Sequence, residues 1–325
     1  MPARQHSRPT RIVIVGAGHV GATLAYSLVL DGLAPEIVLI DQDHRRAEGE
    51  AMDLNHAVPF SPPCRIWAGG YEDCAGASVV VLTAGAGQKP GETRLDLATR
   101  NAAVFQDIVP RITAINPDAI LLVATNPVDV LTYLTWKLSG LPTNRVIGSG
   151  TILDTARFRY LLSQHVGVDA RSVHAYVIGE HGDSEVPVWS LANIAGMRLQ
   201  DFRAAHGLGP DEAAMNAIVD ETRRAASRII ERKGATYYAV AAGLLRILEA
   251  ILRDQGTVLS VSSVLPPRYG VPDVSLSVPT VVTRHGIERV LHLPLDAGET
   301  AAFRRSGEVV RKVIASLETD TRRRD

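Results

Sequence analysis

The sequence lacks the marks of several classes of protein. Its two cysteines, Cys64 and Cys74, are too few for a disulfide framework and do not match the spacing of a zinc site, which is typical of a reducing compartment. No uninterrupted apolar stretch reaches the roughly 20 residues of a membrane span, and the start lacks the apolar core and cleavage site of a signal peptide. The formal net charge is −1, so no basic field attracts nucleic acid or a membrane surface. We therefore expect a soluble cytoplasmic protein that binds neither.

The composition is that of a globular protein with a sizeable core. The chain has 325 residues, of which 46% are hydrophobic and 21% charged, and this length predicts two domains. The first half alternates amphipathic helical patterns with short β-branched runs that show no polar alternation, which is typical of parallel strands buried on both faces. Residues 10–150 are therefore predicted to form an α/β domain with a Rossmann-type doubly wound parallel sheet. The runs are residues 11–15, 36–40, 78–82, 119–125 and 145–149.

The pattern changes after about residue 150. A helix starting near Asp154 is followed by hairpin-like strands and by long helical patterns, which together predict a mixed α+β domain over residues 151–325. The strands are expected within residues 173–180 and 274–295, and the helices at 211–232, 235–253 and 297–317.

The motif GAGHVG at residues 16–21 directly follows a predicted strand and opens a predicted helix. In a dinucleotide-binding loop Gly16 makes the tight turn, Gly18 lets the backbone approach the pyrophosphate, and Gly21 packs helix on strand. Asp41 ends the next strand, where a carboxylate accepts hydrogen bonds from a ribose diol and repels a 2′-phosphate, so NAD is favoured over NADP. The alternative is a structural turn and an unrelated carboxylate.

Three polar clusters follow strands or open a helix at the edge where such a fold binds ligands. Gln88 and Arg94 lie in a glycine-rich loop, and Asn126 lies at the tip of a strand. Asp154 and Arg157 are three residues apart and share one face of a helix. The alternative for Gln88 and Arg94 is an ordinary solvated loop, and the alternative for Asp154 and Arg157 is a surface ion pair.

His181 lies between two glycines in the stretch GEHGDSEVPVW. A metal site is not predicted, because the only other nearby histidine is His174 and no second ligand cluster exists. A general acid–base role fits better, since imidazole titrates near neutrality and Asp154 could fix its tautomer.

Five segments together resemble the NAD-dependent L-lactate dehydrogenases, the bacterial branch of the lactate/malate dehydrogenase family. They are TAGAGQKPGETRLDL, ATNPVD, GSGTILDTARFR, GEHGDSEVPVWS and KGATYY, in order and without a large gap, and the similarity covers residues 10–317. Gly87 stands where an asparagine is common in the family, and the short N-terminal extension has no family role.

The resemblance implies a role for each residue of the site. His181 would donate a proton to the carbonyl of pyruvate, and Asp154 would orient it and stabilise the imidazolium. Arg157 would hold the substrate carboxylate in a two-pronged salt bridge, while Arg94 would polarise the carbonyl. The remaining substrate contacts would come from Asn126, Gln88 and Thr236. The contacts to NAD would come from Gly16, Gly18, Val20, Gly21, Asp41, Thr83, Gly85 and Asn126.

Three activities stay open at this point. Malate dehydrogenases share the fold and the His–Asp–Arg arrangement, but their substrate carries a second carboxylate that needs a cation where this sequence has neutral Gln88. Gln88 therefore favours pyruvate and L-lactate over malate as substrates, and a broader 2-hydroxyacid dehydrogenase stays as the alternative, because the sequence does not give the volume of the pocket. A catalytically silent NAD-binding protein is disfavoured, because His181, Asp154, Arg157 and Arg94 are all intact.

Arg159 and His174 suggest regulation. In bacterial relatives that respond to fructose 1,6-bisphosphate, the matching Arg and His of two subunits bind its phosphates, so the resemblance implies allosteric activation of a homotetramer in fermentative glycolysis. The alternative is a pair of weakly coupled surface cations.

Overall fold

A parallel six-stranded sheet forms the centre of the N-terminal half. The computed structural model describes residues 10–87, 91–209, 211–266 and 270–322. The strands lie in the order β3-β2-β1-β4-β5-β6, which is the Rossmann order and confirms the predicted fold class. They are β1 (Arg11–Val15), β2 (Glu36–Ile40), β3 (Arg65–Ala68), β4 (Val79–Leu82), β5 (Ile120–Val123) and β6 (Val146–Gly148).

Helices cover both faces of this sheet. They are α1 (His19–Asp31), α2 (His44–Ala57), α3 (Arg94–Ile115) and α4 (Val128–Ser139). Ile12 and Ile14 of β1 pack in the same core as Leu24 of α1, whereas Val13 packs on the other face with Phe105 of α3. Because successive side chains of a strand point to opposite faces, a strand covered on both sides has no polar positions.

The second half extends the sheet and adds a smaller one. It contains α5 (Ile152–Val166), β7 (Val173–Ile178), β8 (Val186–Ile194), β9 (Met197–Arg198), α6 (Leu199–Ala205), α7 (Glu212–Lys233), α8 (Tyr238–Leu252), β10 (Thr257–Val264), β11 (Ser275–Thr283), β12 (Gly286–Val290) and α9 (Ala297–Arg322). Strands β10, β11 and β12 continue the large sheet antiparallel beyond β6, through the pair Ser262–Gly148. Strands β7, β8 and β9 form a separate antiparallel sheet. In the part of the chain that the structure describes, no helix is both long and apolar enough to cross a membrane.

Buried polar contacts fix β7 against the large sheet. The hydroxyls of Thr151 and Ser260 both donate to the carbonyl of Val177, at 2.6 and 2.7 Å. Gly179, just after β7, bridges to Ser277 of β11. The loop that follows β7 and carries His181 is therefore held over the carboxyl edge of the parallel sheet.

Candidate active site

The glycine loop after β1 is shaped by contacts with its own neighbours. Gly16 has φ +113°, and a Cβ there would lie 2.4 Å from the backbone nitrogen of Ala84. A Cβ on Gly21 would lie 1.9 Å from the carbonyl oxygen of Gly16. A Cβ on Gly18 would meet no atom within 4 Å, and the first turn of α1 carries no acidic residue. The open space at the positive end of α1 fits a pyrophosphate.

Asp41 directly follows β2 and holds this loop. Its Oδ2 accepts a hydrogen bond from the backbone N–H of Ala17 at 2.7 Å, and its Oδ1 accepts one from Asp43 at 2.9 Å. A carboxylate has about four acceptor positions, so both oxygens keep capacity for a ribose diol. The chain thus has the anion site and the diol acceptor that NAD needs.

The other expected coenzyme residues surround the same loop. Thr83 donates its hydroxyl hydrogen to the carbonyl of Gly16 at 2.7 Å. Gly85 has φ +155°, and a Cβ there would lie 2.4 Å from Cγ2 of Thr125. Val20 is half-buried against the core under α1.

A residue that the sequence analysis missed holds the ends of β4 and β5 together. The side chain of Asn101, on α3, is fully buried. Its Oδ1 accepts from the N–H of Ala86 at 2.8 Å, and its Nδ2 donates to the carbonyl of Asn126 at 2.7 Å. Asn126 is exposed, with its backbone fixed by this contact. The signal in the sequence that could have indicated this role is a single asparagine among the apolar positions of a helix.

His181, Asp154 and Arg157 form one hydrogen-bonded cluster. Nδ1 of His181 lies 2.5 Å from Oδ2 of Asp154, while Nη1 of Arg157 donates to Oδ1 of the same carboxylate at 2.8 Å. Asp154 is 2% exposed, whereas the His181 side chain is 23% exposed. With Nδ1 turned to the carboxylate, Nε2 is the ring atom left for a substrate.

Burial and charge set the protonation of this pair. Burial lowers the pKa of His181, but the charge and hydrogen bond of Asp154, helped by Asp129, outweigh it and raise that pKa to about 9. Burial raises the pKa of Asp154, but the His181 and Arg157 cations outweigh it and lower that pKa below its usual value. At neutral pH the pair is an imidazolium beside a carboxylate, and the imidazolium can give up a proton.

Asp129, which no sequence motif indicated, positions His181 from the other side. Its Oδ2 accepts from the backbone N–H of His181 at 2.7 Å, and its Oδ1 accepts from the hydroxyl of Ser262 at 2.6 Å. Burial raises its pKa to about 6, although these two hydrogen bonds oppose that rise. It is therefore ionised at pH 7.

Arg94 lies beside this cluster at the start of α3. Thr93 and Asp96 cap the helix reciprocally, which fixes the backbone at this point. Nη1 of Arg94 lies 2.6 Å from Oε1 of Glu180, next to His181. A Cβ on Gly182 would lie 2.2 Å from Nη2 of Arg94, so the glycine leaves room for the guanidinium. Gln88, the expected discriminator, lies outside the described residues.

Thr236 lies in the turn between α7 and α8, which contacts the coenzyme loop. The ring of its neighbour Tyr237 stacks on His19, the first residue of α1, with centroids 5.1 Å apart. Nζ of Lys233 lies 3.6 Å from the centroid of the Tyr237 ring. Thr236 therefore lies next in sequence to a residue that contacts the coenzyme half of the site. Among the described residues no three His, Cys, Asp or Glu side chains lie together so as to hold a metal ion.

Comparison with known proteins agrees with this geometry. The profile of the lactate/malate dehydrogenase NAD binding domain matches residues 10–148, and that of the alpha/beta C-terminal domain matches residues 151–320. An L-lactate dehydrogenase of Acetivibrio thermocellus is 54% identical over 95% of this chain and 97% of that protein. One of Priestia megaterium is 50% identical over 93% of this chain and 95% of that protein. A lactate dehydrogenase structure from a Medee basin deep-sea metagenome library has a TM-score of 0.92 and 43% identity, covering 96% of this chain and 100% of that one.

A Rossmann sheet with an open glycine loop, together with a histidine paired to a buried carboxylate, defines an NAD-dependent oxidoreductase, and the chain is one. Because the two domain profiles follow one another from residue 10 to residue 320, it belongs to the lactate/malate dehydrogenase family. The resemblance seen in the sequence motifs is confirmed.

Proposed function

We propose that the protein is an L-lactate dehydrogenase, which reversibly reduces pyruvate to L-lactate with NADH. The observation that carries this proposal is the shared carboxylate of Asp154, which holds a proton donor, His181, and an anion-binding group, Arg157, side by side. A 2-keto acid has its carbonyl next to its carboxylate, so it needs these two groups as neighbours. The L-lactate dehydrogenases among the relatives support the same activity.

The residues of the chain divide the work of the reaction. Bound NADH supplies the hydride that the carbonyl carbon accepts. Arg157 binds the substrate carboxylate through the donors that Asp154 does not use, and this places the carbonyl oxygen at Nε2 of His181. The proton of Nε2 moves to that oxygen, and Asp154 stabilises the imidazolium before transfer. Arg94 leaves Glu180 to polarise the carbonyl.

A substrate panel tests the proposal directly. The rate of NADH oxidation, followed by absorbance, is measured with pyruvate, oxaloacetate and longer 2-keto acids. We expect the highest kcat/KM for pyruvate. A higher value for oxaloacetate would reassign the protein to malate dehydrogenase, and no turnover with any of them would make it a silent NAD-binding protein.

Gln88 is proposed as the residue that selects pyruvate, on the sequence alone. Gln88→Arg supplies a partner for a second carboxylate, so we expect the preference to shift toward oxaloacetate on the order of a thousandfold. The measurement is the ratio of kcat/KM for the two substrates. A ratio within a few-fold of the parent value would remove Gln88 as discriminator.

We further propose that fructose 1,6-bisphosphate activates the enzyme through Arg159 and His174, in a homotetramer. Nε of Arg159 donates to the carbonyl of Ala175 at 2.8 Å, and its guanidinium lies 5.0 Å from the ring centroid of Tyr176. His174 and Tyr176 alternate with buried residues of β7, so both share the face that Arg159 reaches. Arg159 therefore reaches the face of β7 that carries His174, and this supports a shared phosphate site beside the helix that carries Arg157.

The pyruvate KM with and without millimolar fructose 1,6-bisphosphate tests this regulation. We expect a lower KM with the effector. Arg159→Gln should abolish the response. No response in the parent would contradict the regulation, and a response that survives in the variant would place the effector elsewhere. Fermentative glycolysis in the cytoplasm is the setting that we infer for this activity.

A further inference from the structure

Glu185 is a buried carboxyl that the proposed reaction does not use. It lies four residues after His181, just before β8, and is 3% exposed. Its backbone carbonyl accepts a hydrogen bond from Nη2 of Arg223 on α7 at 3.0 Å. Its side-chain Oε1 is buried and has no hydrogen-bond partner in the part of the chain that the structure describes. Such an orphaned oxygen in a native protein calls for a physical explanation.

Charged groups from several elements face this carboxyl, and a cavity of about 420 Å³ adjoins it between α7 and α9. The groups are Asp154 and Arg157 on α5, His181 in the loop after β7, Arg223 on α7, and Glu299 and Arg305 on α9. The His181–Asp154 pair and Arg157, which we call the substrate clamp, therefore lie within the electrostatic range of Glu185.

Burial raises the pKa of Glu185 to about 8, and the charge of Asp154 adds to this rise while His181, Arg223 and Arg157 oppose it. The side chain is therefore a neutral acid at pH 7. A neutral acid with an unpartnered oxygen costs much less to bury than a carboxylate in the same place.

We propose that Glu185 is a positioning residue of the active site: as a neutral acid it leaves Asp154 as the carboxylate that Arg157 and His181 share, and as an anion it weakens the hold of Arg157 on the substrate. The anion would add a second negative charge within electrostatic range of Arg157, which weakens the attraction between this guanidinium and the substrate carboxylate. The inference rests on the proposed 2-keto acid substrate.

Glu185→Gln tests the proposal, because glutamine has the shape of the neutral acid and cannot ionise. The ligand is oxamate, a pyruvate analogue, and its Kd is measured with the NADH complex by fluorescence quenching from pH 6.5 to pH 9.5. At pH 6.5 we expect Kd values within twofold of one another. Between pH 7 and pH 9.5 the Kd of the parent should rise by a factor at least about fivefold larger than the Kd of the variant. In the variant only the deprotonation of His181 remains to weaken binding.

A matched control removes a carboxylate elsewhere. Glu221→Gln, on the surface of α7, should follow the parent at every pH. Coincident profiles for the parent and Glu185→Gln would overturn the proposal, and so would a variant that binds oxamate poorly already at pH 6.5, since that result indicates a purely structural role.

Infrared spectroscopy of the NADH complex separates this inference from the proposed function, because it needs neither turnover nor substrate. The difference between parent and Glu185→Gln should show the carbonyl band of a protonated carboxyl at pH 7, which disappears by pH 9.5. Absence of that band at pH 7 would overturn the proposal even if pyruvate is reduced. A band without any oxamate binding or pyruvate turnover would contradict the proposed function instead.

Discussion

The two halves of this active site differ in which atoms form them: the coenzyme half, around α1, is mainly backbone, and the substrate half, around His181, is mainly side chains. Around α1 the site consists of backbone: Gly16 and Gly21 could not carry a Cβ without collision, and Gly18 leaves open space. Around His181 it consists of buried side chains: Asp154 holds the imidazole, and Asp129 holds the backbone N–H of the same residue. The collision at Gly21 is with an atom of the same motif, whereas Asp154 and Asp129 depend on a partner, His181, from a distant segment.

This difference has an energetic consequence. Removing one partner from a buried charged cluster leaves the others uncompensated, which is expensive. A collision at a glycine instead displaces backbone and is felt by the packing of α1 on β1. Substitutions in the substrate half should therefore change chemistry with little change in coenzyme binding, and substitutions in the coenzyme half should do the reverse.

Asp154→Asn should have the largest effect on turnover. The amide cannot stabilise the imidazolium and disturbs the tautomer of His181, so we expect kcat for pyruvate to fall on the order of a hundredfold to ten-thousandfold. The Kd of NADH should stay within about twofold. Asp220→Asn, on the surface of α7, is the control of equal charge change.

The pH profile of the same variant shows in which direction Asp154 shifts the pKa of His181. Asp154 is the main group that raises the pKa of His181 to about 9. Pyruvate reduction needs the protonated histidine, so the parent should lose kcat/KM as the pH rises through about 9, and the variant at a lower pH. A variant that loses NADH affinity together with turnover would break the separation of the two halves.

Gly21→Ala should have the next largest effect, this time on stability. The new Cβ would lie 1.9 Å from the carbonyl oxygen of Gly16, so α1 must move away from β1. We expect a loss of about 3 kcal/mol in the free energy of unfolding and much weaker NADH binding. Urea unfolding and fluorescence titration measure the two quantities. Unchanged stability would show that the loop adapts more easily than its packing suggests.

The sequence predicted the parts of the fold that rest on local rules. Five parallel strands followed from β-branched runs, and a glycine with a left-handed backbone, Gly140 at φ +64°, ends α4. It did not predict β3, an edge strand with a single buried position, or β10, whose serines read as loop. Buried Ser260 and Ser262 of β10 are satisfied by partners from other segments, so no local pattern marks that strand.

The site was predictable in the same uneven way. The motifs indicated His181, Asp154 and Arg157, because these residue types are chemically distinctive. Asp129 was not indicated, since its partner His181 is 52 residues away in sequence and is contacted through its backbone. Glu180 was likewise not indicated, because its partner Arg94 lies 86 residues earlier in the sequence.

Gly18→Ala should have the smallest effect on the protein and sharpens the comparison most. Its φ of −77° is accessible to alanine, and a Cβ there meets no atom of the chain within 4 Å. The free energy of unfolding should therefore change by less than about 1 kcal/mol, as for an exchange at a helix N-cap. The Kd of NADH should rise about tenfold, because the methyl group would occupy space that the pyrophosphate needs. If instead stability falls as far as in Gly21→Ala, then Gly18 serves the fold rather than the ligand; if neither quantity moves, the pyrophosphate does not approach α1 at this residue.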